Sequence, residues 1–179
     1  EGDVTRAAVT FASFDEHTGG VERLKILMST GLFGVKYLLI NAPQELLDNP
    51  IDKNEVDHKM LEYARGAGYE PGVIFRPSYQ AAKDMWVIDD VRMKQLAQFG
   101  IENNRLTMLH NSAREALHEA QRHLDNLDYE GFMSASRRAW GLEARGYPEV
   151  MSTANDTVRG IIFYFILLLP FSFFCERLL

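Results

Sequence analysis

The stretch GIIFYFILLLPFSFFC, residues 160–175, has no ionisable side chain apart from Tyr164 and Cys175, and the arrangement of the whole chain hangs on how it is read. A helix rises about 1.5 Å per residue and needs roughly 18 to 20 apolar residues to cross the hydrocarbon of a bilayer. The run is slightly short by itself and becomes long enough when continued through Glu176 and Arg177 to Leu178 and Leu179. It carries no polar face, whereas a helix packed on a water-soluble domain usually keeps one. Arg159 stands before it, and Glu176 with Arg177 after it, where charged heads reach the lipid headgroups. A secretory signal would lie at the N-terminus behind a basic leader. The stretch therefore reads as a C-terminal transmembrane helix placing Ile161, Phe163, Phe165, Leu167, Leu169, Pro170, Phe171 and Phe174 in the lipid bilayer, with Pro170 as its kink or unwinding point. The competing reading is a soluble helical protein whose C-terminal helix is buried, which requires the same side chains to be covered by the chain itself.

Moving back from that run, Pro148 breaks or starts a helix, since proline fits a first helical position, and from there a helix can continue through Asn155 and Asp156 into the membrane. Residues 79–99 carry Met85, Trp86, Ile88, Met93 and Leu96 and stop at Gly100. Asn104 is the expected cap of a helix bearing Leu106, Leu109, Ala113, Ala116, Leu117, Ala120 and Leu124 at i, i+3, i+4, i+7 spacing. Asp128 caps the next, in which Tyr129, Phe132, Ser136, Ala139, Trp140 and Glu143 share a face. The short link between these two predicts an αα-hairpin with alanines at the contact. Upstream, residues 54–66 form an amphipathic helix, 43–48 a helical turn, and 73–75 at most a short strand between prolines. Residues 4–14, 21–28 and 35–40 alternate as strands, with a turn at 15–20, and predict a small antiparallel sheet. The fold class is α+β: a β region over 1–42, a helix-and-loop connection over 43–78, a mainly helical region over 79–150, and the membrane helix with its lead-in over 151–179.

Chemistry is sparse by comparison. The net charge is −6 with scattered Lys and Arg, against a nucleic-acid partner, which needs clustered cations. Five histidines invite a metal, but His118 and His123 are five apart, which turns the second ring by about 140° from the first on a helix. His110 and His118 are two turns apart, so the histidines read as solvated, with no metal and no cofactor. Asp15, Glu16 and His17 sit in a turn, where polar residues are the default. Asp84, Asp89 and Asp90 with Arg92 read as surface ion pairs. No phosphate loop and no nucleophile elbow is present, so no catalytic residue is assigned. Trp86, Tyr129, Phe132, Trp140 and Tyr147 read as aromatic anchors of the helical region.

Three segments, DMWVIDDVRMKQLAQFGIENNRL (84–106), RRAWGLEARGYPEV (137–150) and TANDTVRGIIFYFILLLPFSFFCERLL (153–179), together resemble large bacterial permeases of the FtsX-like, MacB type, across about residues 72–179. The resemblance implies an extracytoplasmic segment followed by the transmembrane helix that leads into the rest of the permease chain. It also implies a bacterial inner-membrane location with residues before about 158 outside, and a cytoplasmic ATPase subunit as a further partner. A non-enzymatic module that relays conformational change or docks a partner is the expectation. The chain departs from a complete permease in having one hydrophobic segment, and its first residue, Glu1, suggests a piece of a longer protein. The alternative is the membrane-anchored part of an enzyme, such as a hydrolase, whose catalytic residues lie outside this piece.

Overall fold

The computed structural model describes residues 6–14, 20–30 and 35–178. Asp15, Glu16 and His17, with most of the expected turn around them, lie outside the described residues, as does the link over 31–34. Strands β1 (Arg6–Phe14), β2 (Val21–Thr30) and β3 (Val35–Leu39) form an antiparallel sheet in the order β1-β2-β3. Val9 pairs with Leu27 and Ile26 with Leu39, so the alternating segments pair as their pattern demands. Three strands cannot bury a face alone. Here β3 lies against the helices, with Leu38, Leu39 and Ile40 buried, and Leu27 of β2 packs on the same core.

The extra strand pairing expected at 73–75 falls instead at Tyr69, which exchanges two 2.8 Å backbone hydrogen bonds with Leu24. Gly66 accounts for the shift. At φ +66° it folds the chain so tightly onto Ile40 and Asn41 that a Cβ would collide with both carbonyl oxygens. Val73 and Phe75, beyond Pro71 and Gly72, stay exposed.

Helix α1 (Glu45–Asp48) is the expected short turn. The single helix expected over 54–66 is split into a 3₁₀ turn, Lys53–Glu55, and α2 (His58–Ala64). Two caps cause the split: Asp52 accepts from the Asn54 N–H at 2.9 Å, and Asp57 accepts from the Met60 N–H at 2.7 Å. Helix α3 (Pro77–Gln98) starts with Pro77 in its first turn and closes at Gly100, where φ is +75° and the Ile101 N–H reaches the Leu96 carbonyl at 3.1 Å. It is the central element: β3, α1 and α2 pack on it, and every residue over 81–91 is buried.

Helix α4 (Asn104–Asp125) is capped by Asn103 rather than Asn104, its Oδ1 accepting from the Arg105 and Leu106 N–H groups at 3.1 and 3.3 Å. Helix α5 runs without interruption from Tyr129 to Leu178, 50 residues or about 75 Å. The αα-hairpin is present, with Ala113, Ala116, Ala120, Ala135 and Ala139 buried, and both helices also pack on α3. Its tight link uses Leu127 at φ 60° and a 2.8 Å bond from the Asp128 N–H to the His123 carbonyl. Pro148 neither starts nor breaks a helix. An internal proline costs about 3 kcal/mol, and burial of Tyr147 and Val150 beside it offsets that. One hydrophobic cluster joins β3, α1, α2, α3, α4 and the first half of α5.

Candidate functional site

Helix α5 has two unlike parts. Up to Val150 its inner face is buried against α3 and α4. From Arg159 to Arg177, 19 residues, none is buried: Phe163 is 63 %, Leu167 59 % and Phe171 65 % exposed. Ile161, Phe165, Leu169 and Phe174 are exposed likewise. At 1.5 Å per residue this segment measures about 28 Å, close to the hydrocarbon thickness of a bilayer. It is the one helix among the described residues long and apolar enough to cross a membrane. The helix is continuous through Pro170.

The root of this helix is seated on charge. Glu143 of α5, 2 % exposed, faces Nδ1 of His110 on α4 at 3.2 Å. His110 Nε2 lies 3.4 Å from Asp90 of α3, whose other oxygen accepts from Lys94 at 2.6 Å. The preceding residue, Asp89, 1 % exposed, lies 3.6 Å from Arg92, and the Arg92 guanidinium sits 5.3 Å over the ring of Tyr147. Trp86 completes the seat: its indole stacks on the His110 ring at 4.5 Å and 6°, and its Nε1–H donates to the His110 carbonyl at 3.0 Å. Three helices are thereby tied through one imidazole. Burial disfavours the charged imidazole, but hydrogen bonding and attraction from Asp90 and Glu143 outweigh it and hold His110 up to about 9. Burial, with Glu143 adding to it, raises Asp89 well above the carboxylate range, and burial raises Glu143 as well.

A second buried group fixes the sheet. Asp84 accepts from the Ile40, Asn41 and Ala42 N–H groups at 2.8 to 2.9 Å and from the Tyr69 hydroxyl at 3.0 Å, while Lys83 donates to the Ala42 carbonyl at 2.7 Å. Burial raises the Asp84 pKa against the opposing pull of Lys83 and those donors.

The expectation of surface ion pairs on α3 is thus corrected: Asp84, Asp89 and Asp90 are buried, because α3 is enclosed on all sides. So is the expectation of solvated histidines at His110, although His118 and His123 remain partly exposed. Among the aromatic anchors, Trp86, Phe132 and Tyr147 are buried, and Trp140 is partly buried with its ring edge-on to Tyr37 at 6.1 Å. Tyr129 is not an anchor. It is 61 % exposed because it opens α5 beyond the last residue that the hairpin covers. The signal for His110 lay in spacing, since it falls four after Leu106 and three before Ala113 on the buried stripe of α4. Comparison of the chain with family models, curated proteins and solved structures finds no match.

Proposed function

We propose that this chain is a non-enzymatic, membrane-anchored module of a bacterial FtsX-like permease, on the extracytoplasmic side of the inner membrane, that relays conformational change to the rest of the permease chain. One observation carries this reading: α5 is a single helix whose first part is clamped in a folded core and whose last part is apolar and bare. Each turn of a helix is hydrogen-bonded to the next, so a tilt of the seat is passed along the rod instead of being absorbed in a linker. The resemblance over residues 72–179 supports the family and the orientation, with a cytoplasmic ATPase driving the cycle from the other side.

In the full-length protein, two glycines inserted after Thr153 are expected to leave membrane retention intact and to remove the effect of the outer module on ATP turnover by the assembled permease. Turnover as sensitive to the outer module as before would sink the relay. Orientation is read separately by placing a cysteine at Ser152 in a Cys175→Ser background. Labelling of intact cells by a membrane-impermeant maleimide is expected, and labelling only after lysis would reverse it.

A further inference from the structure

The seat of α5 contains more than a clamp. Asp89 of α3, His110 of α4 and Glu143 of α5 line a narrow cavity of about 10 Å³ together with apolar side chains such as Leu106, Leu142 and Val150. Both oxygens of Asp89, Oε1 of Glu143 and Nε2 of His110 are buried with no close hydrogen-bond partner; what faces them are the ion-pair contacts given above, 3.6 Å from Asp89 to Arg92, 3.2 Å from Glu143 to His110 and 3.4 Å from His110 to Asp90. A space of this size holds about one water molecule, and Asp89, His110 and Glu143 are the polar side chains on its wall.

The charges facing this point come from all three helices: Asp89, Asp90, Arg92 and Lys94 on α3, His110 on α4, and Glu143 with the Tyr147 phenol on α5. Three carboxylates face two permanent cations, so the cluster is neutral only when it holds one further proton. Leaving a net charge in so dry a place is costly. A way out exists, because His110 and Asp90 also line a wider cavity of about 400 Å³ whose rim carries Lys53 and Glu102.

We propose that Asp89, His110 and Glu143 form a proton-binding site, and that loss of its proton loosens the seat of α5. On release the proton leaves the imidazole on the Asp90 side and passes to water in the wider cavity, and the cluster gains one negative charge. The raised His110 value agrees: the stabilisation is fully present below the ordinary imidazole value of about 6.5 and is lost as pH rises through about 9. The upward displacement of Asp89 and Glu143 acts with the same sign, since the folded state then binds more protons than the unfolded one. Passage of the loosening into the membrane rests on the relay proposed above; the proton site does not.

Trp86, stacked on His110, is a built-in reporter, because a protonated imidazole quenches an indole lying against it. In the full chain in lipid nanodiscs, with Trp140→Phe leaving Trp86 as the sole tryptophan, emission is expected to rise with a midpoint about two pH units above the ordinary imidazole value. Adding Glu143→Gln should lower that midpoint by about one unit or more, with helical circular dichroism retained as the check on folding. A midpoint near the ordinary value in the Trp140→Phe chain overturns the site, whether or not the Glu143 variant folds; so does a midpoint unmoved by a folded Glu143→Gln. Hydrogen exchange over residues 143–150, relative to α3, should accelerate through the same midpoint. Emission that titrates without this acceleration would overturn the loosening.

Discussion

Asp84 is fully buried, and its two oxygens collect three backbone N–H groups from a segment more than 40 residues away in sequence and the phenol of Tyr69, 15 residues away. Removing one partner of a buried charged network leaves the others dry and unpaired, at a cost of about 3 to 5 kcal/mol. Asp84→Ala is accordingly expected to lower the unfolding free energy of the folded region, read from urea titration, by that amount, and a change under about 1 kcal/mol would mean that the carboxylate is no better than a surface one. This residue was illegible in the sequence for a physical reason. An acidic side chain next to a lysine is ordinarily solvated, and only the enclosure of α3 by neighbours distant in sequence makes it a core group. Glu143 was half legible: its place on the inner face of α5 follows from spacing, but its partner His110 does not, because nothing in one helix says what a second presents to it.

At the scale of elements the sequence spoke more clearly. The alanine stripes of α4 and α5 and the short link between them specify the hairpin, and the alternation of the strands specifies the sheet. Those alanines let the helices approach closely, so Ala139→Leu, at a fully buried position, is expected to cost about 1 to 3 kcal/mol through overpacking. Thermal unfolding followed by circular dichroism at 222 nm checks this, with an undiminished melting temperature as the contrary result. Boundaries were less legible than elements. Asp52 and Asp57 each cap a separate turn, and Pro148 sits inside a helix because the residues beside it are anchored by α3 and α4.

Taken as a molecule, the chain is a compact core of sheet and helices with one apolar helix standing clear of it. A charged residue in the centre of a membrane helix disfavours insertion by about 2.5 to 3.5 kcal/mol. Leu167→Arg is therefore expected to move the chain from the carbonate-resistant membrane fraction into the extract, without altering the helical core. Equal retention of both proteins would argue that the bare segment meets something other than lipid. The uninterrupted span of α5 also has a mechanical consequence. From Glu143 to Arg177 the rod is about 50 Å long, so a swing of only about 5° about its charged pivot carries the far end sideways by about 4 Å. Movements too small to disturb the core would thus arrive at the other end amplified like those of a long oar turning on its rowlock.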